Sequence, residues 1–200
     1  MTRVIVQFFR LLNSVRVLPH VVLMLASPNR AIIEDELARW AELCMSHRPR
    51  ASAASRLLWM MTMYPEYRTL FYYRIGGARR LVDFLCPPMQ TLLIATGSIG
   101  PRFFIQHGFS TIITAESIGA DCWVNQQVTI GYTAGSGRPT IGDRVVVNAG
   151  AKVLGGITIG SDVVIGANAV VVKNVPSNVT VVGVPAYIIR RDGVRVNEKL

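Results

Sequence analysis

The sequence predicts a mainly β protein, a parallel β-helix preceded by an α-helical N-terminal region, and three observations carry that prediction. The first is a period of six from about Leu93 to Val171. Aliphatic residues fall at Ile118, Val124 and Ile130, then at Ile141, Val147, Val153, Ile159, Ile165 and Val171, often followed by Gly. The register runs back through Ile112 and, across one seven-residue step, to Ile105, Ile99 and Leu93, giving roughly twelve repeats. Three such hexads make one triangular turn, with the aliphatic side chain of each short face turned inward, and stacked turns bury a continuous apolar column. The second observation is that the period breaks twice, at Ile105 to Ile112 and at Ile130 to Ile141, both times with polar residues. A solenoid accommodates an insertion at a corner, commonly on the face that functions. The third is that apolar residues before about residue 90 recur at helical spacing instead.

In chain order, residues 1–90 read as a helical region, 91–191 as the β-helix domain and 192–200 as a frayed C-terminal tail. The run Val17 to Ala26 is apolar, with Arg3, Arg10 and Arg16 before it, but Pro19 and His20 interrupt it and it is too short to span a bilayer. It reads as helical segments that pack on the β-helix or lie on a membrane face. Their Arg residues would lie on one side and Val4, Phe8, Leu11, Leu12 and Val15 on the other. Ordinary helix-to-helix core is the alternative. A helix from about Asn29 to His47 carries Ile32, Ile33, Leu37, Trp40 and Leu43 on one face, with Glu34, Asp35 and Glu36 complementing the dipole in its first turn. Another runs from Ser52 to Met63. An aromatic-rich helix from Tyr64 then ends at Gly76-Gly77, its aromatics packing on the first coil. Cys86-Pro87-Pro88 sets the chain extended and marks the boundary. The segment from Val179 to Arg191 adds a last strand-like turn that caps the stack.

The chain has 200 residues and a net charge of +9, and the helical region holds 12 of the 21 cations, all Arg. That balance predicts anionic partners such as a phosphorylated cofactor, an anionic membrane face or an acidic polymer. No nucleic-acid module is recognisable. Cys44, Cys86 and Cys122 are odd in number and widely spaced, which excludes a disulfide framework and paired metal ligands and fits a reducing cytoplasm. Only His107 of the three histidines lies in the repeat, so a three-histidine zinc site of the carbonic anhydrase kind is excluded.

Several segments resemble the serine acetyltransferase-type hexapeptide acyltransferases in order and spacing. They are His107-Gly108-Phe109-Ser110-Thr111-Ile112-Ile113, Ile118-Gly119, Gln126-Gln127-Val128-Thr129-Ile130-Gly131, Gly150-Ala151-Lys152-Val153-Leu154-Gly155 and Gly183-Val184-Pro185-Ala186. The resemblance covers about the last half of the chain. It implies a left-handed β-helix, a homotrimer with the active site between neighbours, and acetyl-CoA as donor. The left hand comes from the resemblance alone, since crossovers between parallel strands are otherwise right-handed.

Acetyl transfer to a hydroxyl needs a base for the hydroxyl proton and donors for the oxyanion. The resemblance gives the base role to His107. Where the serine enzymes place Asp before this histidine, a second Asp about a turn earlier and a second histidine on the extended loop, this chain has Gln106, Leu92 and Arg138. From those departures a sugar or polysaccharide-precursor hydroxyl is expected as acceptor, as in polysaccharide-cluster members, which the Tyr64 to Gly76 segment also resembles. Serine O-acetylation and a catalytically silent scaffold are the alternatives. Gln106, Asn125, Gln126 and Arg138 are the candidate acceptor-binding residues. By resemblance Ala149, Ala167, Lys173 and Arg190 are the candidate contacts for acetyl-CoA, small side chains for its arm and cations for its phosphates. No metal is expected. The localisation expected is cytoplasmic, with the N-terminal helices offering a contact to the inner membrane face. The loop from Gly131 to Thr140 has the composition of a mobile arm that carries Arg138 to an adjoining subunit's His107.

Overall fold

The computed structural model describes residues 2–45 and 52–200, with side chains described from Leu12 onward. They form two compact units, Met1–Met89 and Gln90–Leu200.

The helical unit contains α1 (Thr2–Ala26), α2 (Arg30–Cys44), α3 (Ala53–Met63) and α4 (Pro65–Ile75), followed by a 3₁₀ turn over Gly76–Leu81. Local chemistry sets several of these boundaries. The Ser52 hydroxyl accepts the Ser55 N–H at 3.3 Å and caps α3, Pro65 opens α4 where its missing N–H costs nothing, and Gly76 at φ +59 ends it. The helix α1 runs uninterrupted through Pro19. An interior proline costs about 3 kcal/mol, and here burial of Val17, His20 and Met24 on one helix face offsets it. The acids of α2 do not serve its dipole, because the helix starts at Arg30. Glu34 pairs with Arg30 at 2.8 Å, and Glu36 is buried against Arg74. His47, the expected end of α2, and Arg3, Arg10, Val4, Phe8 and Leu11 as side chains lie outside the described residues. The aromatics of α4 form the core of their own unit. Tyr67 meets Trp40 edge-on at 5.1 Å, and Phe71 and Tyr72 flank His20. No helix among the described residues is long and apolar enough to cross a membrane.

The second unit is a parallel β-helix with three faces. Face A stacks β1 (Leu92–Ile94), β4 (Thr111–Ile113), β7 (Thr129–Gly131), β10 (Lys152–Leu154) and β13 (Val170–Val171). Face B stacks β2 (Ser98–Ile99), β5 (Ser117–Ile118), β8 (Thr140–Ile141) and β11 (Thr158–Ile159), with Val175 continuing the column through a bridge to Ile159. Face C stacks β3 (Phe104–Ile105), β6 (Trp123–Val124), β9 (Val146–Val147), β12 (Val164–Ile165) and β14 (Val179–Val182). The inward column of face A is Ile94, Ile113, Ile130, Val153 and Val171. Ile99, Ile118, Ile141 and Ile159 fill face B, and Ile105, Val124, Val147, Ile165 and Val181 fill face C.

Two residues of the expected register point outward. Leu93 is 53% and Ile112 43% exposed. On face A the early strands are three residues long and alternate in–out–in, so Thr111 and Ile113 both turn inward around Ile112. The corners between faces B and C place Arg102, Asp121, Arg144, Asp162 and Asn178 at φ between 54° and 62°, the left-handed region that Asp and Asn tolerate best. Stacked through the registers, they pair as Arg102–Asp121 and Arg144–Asp162, each at 2.7 Å.

The C-terminal segment is not frayed. β15 (Tyr187–Arg191) and β16 (Val194–Lys199) extend face C as an antiparallel hairpin. Asp192 and Gly193, at φ +49 and +80, form the two-residue turn whose twist suits a hairpin.

Candidate functional site

The backbone bonds at the corner between faces C and A define the candidate site. Gln106 N–H donates to the Val124 carbonyl at 2.9 Å, Asn125 N–H to Val147 at 3.0 Å and Asn148 N–H to Ile165 at 3.0 Å, so Gln106, Asn125 and Asn148 stack. One residue further on, Gly150 N–H reaches the Gln126 carbonyl at 3.0 Å and Asn168 N–H that of Ala149 at 2.9 Å. These bonds stack Gln126, Ala149 and Ala167, with about 4.8 Å between coils. In the first coil the stacking is displaced. Gln127 N–H bonds to the Phe109 carbonyl at 2.8 Å, so Phe109, not His107, is the partner of Gln126.

His107 and Gly108 are therefore inserted residues. They sit at φ +65 and +40 and are closed by the Phe109 N–H donating to the His107 carbonyl. A corner bulged in this way pushes its side chain outward: His107 is exposed, and its imidazole bonds to no other described residue of the chain. The buried Thr111 props the bulge from below, its hydroxyl 3.2 Å from the Phe109 carbonyl and 3.3 Å from that of Asn125. Reading for a single aliphatic period overlooks Thr111, because it is a polar residue at an inward position.

The other predicted residues divide among places. Asn125 is half-buried and engaged, accepting Trp123 Nε1–H at 2.8 Å and donating to Asn148 Oδ1 at 3.4 Å. Gln106 and Gln126 are half-buried, Ala149 is half-buried and Ala167 exposed. Arg138 is at the corner between faces A and B, exposed, with its guanidinium 5.4 Å from the Tyr132 ring. Its loop is held rather than splayed. Ser136 and Thr133 bond reciprocally, and Gly156 N–H reaches the Ser136 carbonyl at 2.5 Å. Lys173 follows β13 at the same corner of the last coil and donates to the Leu200 carbonyl at 2.7 Å. It lines a groove of about 520 Å³ with Val172, Ala186, Tyr187, Asn197 and Lys199. Arg190 is on β15 of face C, beside Arg195 in a separate groove. Within one chain, then, His107 and the Ala column share one corner, while Arg138, Lys173 and Arg190 lie elsewhere.

The column past Gln126 suits a thin, flexible arm. Small residues line it, and a Cβ added to the neighbouring Gly150, at φ +75, would fall 2.0 Å from Asn168 Oδ1. A nucleophilic cysteine is disfavoured, because burial pushes the Cys122 thiol up to about 11 and keeps it protonated. Among the described residues no group of three or more His, Cys, Asp or Glu is placed to hold a metal ion.

A solenoid of stacked hexads with an inserted histidine corner defines a class, the hexapeptide β-helix proteins. The family model described as bacterial transferase hexapeptide (six repeats) matches residues 138–173. A serine acetyltransferase of Synechococcus elongatus is 39% identical over 74% of this chain and 66% of its own length. One from Staphylococcus aureus is 50% identical over 50% of this chain and 49% of its own. Among solved structures, serine acetyltransferase of Neisseria gonorrhoeae superposes with a TM-score of 0.64 at 28% identity, covering 84% of this chain and 66% of that one. Its complex with serine gives 0.60 at 28%, covering 80% and 69%. The Brucella abortus enzyme in complex with coenzyme A gives 0.58 at 25%, covering 85% and 71%. The chain belongs to the hexapeptide-repeat transferases. It spans 66% of the cyanobacterial relative and about half of the staphylococcal one.

These relatives overturn the expected sugar acceptor and the expected closeness to polysaccharide enzymes, since all of them are serine acetyltransferases. That expectation rested on a few side chains, Gln106 and Arg138 foremost. The similarity that contradicts it extends over most of the chain.

Proposed function

We propose that this chain is an acetyl-CoA-dependent serine O-acetyltransferase with His107 as general base. The observation that carries the proposal is the inserted corner, which presents an unpartnered imidazole at the head of the Gln126–Ala149–Ala167 column. Solved relatives that hold serine or coenzyme A support the choice of acceptor and donor.

In this reading His107 takes the serine hydroxyl proton as the oxygen attacks the thioester carbonyl carbon. Collapse of the tetrahedral intermediate breaks the C–S bond, and the same imidazole returns the proton to the leaving thiolate. Ala149 and Ala167 give the donor's arm close approach to the backbone, with Lys173 and Arg190 toward its phosphates. Gln106 and Gln126 offer amide oxygens to the acceptor's ammonium.

Arg138 cannot serve as a base, because a guanidinium stays protonated, so it binds the acceptor carboxylate. It lies at a different corner from its own chain's His107, which supports a homotrimer in which the loop of one copy completes the site of the next. Arg138→Ala is expected to raise KM for serine strongly while leaving turnover, because it removes binding rather than proton transfer. The test is release of free CoA and formation of O-acetylserine from acetyl-CoA and L-serine. Absence of serine-dependent CoA release by the folded wild-type protein would sink the proposal.

A further inference from the structure

The small-residue column does not stop at Ala167. Counting on from the Ile165–Val181 register, the next residue in line is Gly183, which stands at φ +97 against the ring of Tyr187. A Cβ built on Gly183 would fall 2.9 Å from that ring, so glycine is what lets the ring lie there. An arm laid along Gln126, Ala149 and Ala167 therefore comes out at Tyr187, the first residue of β15, whose ring is 38% exposed.

Two grooves meet at Tyr187. It lines the one that contains Lys173 and also a second, of about 430 Å³, with Val182, Arg190, Arg195 and Asn197. In the second groove the hairpin sets Arg190 of β15 directly opposite Arg195 of β16. Side chains opposite one another in an antiparallel pair share a face, with Cβ atoms about 5 Å apart, and like charges so placed are destabilising. Arg191, one residue on, is turned to the other face by the alternation of the strand and has Glu198 as its partner. Arg190 and Arg195 form no ion pair with any described residue. Asp162 and Asp192 border Arg190 on its far side, but Asp162 is held by Arg144 and Asp192 pairs with neither arginine.

We propose that Arg190 and Arg195 form a phosphate site, with the organic part of the ligand lying on Tyr187. A phosphate dianion relieves the repulsion across the strands, and each guanidinium fork can donate two parallel N–H bonds to its oxygens. Arg195 lies beyond Ala186, where the segments that resemble the serine enzymes end, so the resemblance assigns it no role. The place of the site at the outlet of the column makes the nucleotide end of coenzyme A, an adenine ring with a ribose phosphate, the source of that phosphate, a step that rests on the proposed donor. A free phosphorylated metabolite carries the same chemistry without the arm.

The test is calorimetric titration of the full chain with CoA, with dephospho-CoA, which lacks the ribose phosphate, and with inorganic phosphate. Wild type is compared with Arg190→Gln, Arg195→Gln and, as a charge control in the helical unit, the exposed Arg80→Gln. Serine is left out, so binding is read apart from turnover. Wild type and Arg80→Gln should prefer CoA to dephospho-CoA by about tenfold, the size of a charge-assisted contact. Both hairpin variants should lose that preference and bind dephospho-CoA as wild type does. Their melting midpoints without ligand should not fall, because each relieves the repulsion between the two arginines. Loss of inorganic phosphate binding in both variants with the CoA preference intact would keep the phosphate site and give it to a free phosphorylated ligand. If wild type bound neither form of CoA, the proposed donor would fail and the phosphate titration alone would decide the arginine pair. Wild type that neither prefers CoA nor binds phosphate, or equal values in all four proteins, would overturn the site.

Discussion

The interior of the helical unit contains His20, Glu36, Glu66 and Arg74, whereas that of the β-helix is apolar apart from Thr96 and Thr111. In the helical unit, stability depends on individual buried partnerships between polar side chains. Glu36 and Arg74 are 1% and 5% exposed with 2.5 Å between them. His20 Nε2 lies 2.9 Å from the Tyr72 hydroxyl, which itself donates to the Cys86 carbonyl at 2.7 Å. In the β-helix the same contact repeats coil after coil, and stability approaches a sum of neighbouring terms. The two units should therefore fail differently under substitution.

The largest difference is expected at the buried ion pair. Glu36→Ala strands the Arg74 guanidinium and should cost about 3–5 kcal/mol. Amide exchange should speed up across the helical unit and stay protected in the β-helix. Replacing both partners by Met should restore much of the loss, since no charge is then left unpaired. Uniform loss of protection across both units would break the comparison.

A smaller effect tests the repetitive side. Ile99→Val and Ile159→Val each remove one buried methyl group and should cost about 1 kcal/mol. They lie on one column three coils apart, roughly 14 Å, so their effects should add within about 0.5 kcal/mol. Denaturant titration of the single and double variants measures this, and strong coupling would show that the column acts as one cooperative block.

A pH effect should also be confined to the helical unit. Burial lowers the His20 pKa below its usual 6.5, so the folded state prefers the neutral ring. The contribution is present above that value and is lost as pH falls through the lower folded pKa, because the unfolded chain then binds the proton more readily. Thermal scans between pH 7.5 and 5 should show a falling midpoint that is largely flattened in His20→Gln. An identical pH dependence in that variant would assign the effect elsewhere.

The sequence is most legible where structure repeats. Six-residue spacing suffices to place the columns from Ile118 to Val171, because each coil sees the same surroundings as the next. It misplaces Leu93 and Ile112, where three-residue strands let two flanking side chains turn inward. The hairpin at Asp192-Gly193 had a local signal in its turn dipeptide, but the short polar strand after it has little apolar alternation. The partnerships of His20 and Glu36 had none, since each joins residues 38 or more apart in sequence with no periodic cue. At the candidate site, the histidine corner is visible as a break in period. Its two-residue insertion and the prop from Thr111 emerge only once neighbouring coils are in register.

In the proposed reaction, His107 at the inserted corner moves the proton in acetyl transfer to serine. The most direct test is CoA release from acetyl-CoA with L-serine by wild type and His107→Ala, with mass and secondary structure checked in both. Loss of a general base predicts a fall in turnover of about 10²- to 10⁴-fold with KM for acetyl-CoA little changed. Wild-type turnover in a folded His107→Ala protein would contradict it.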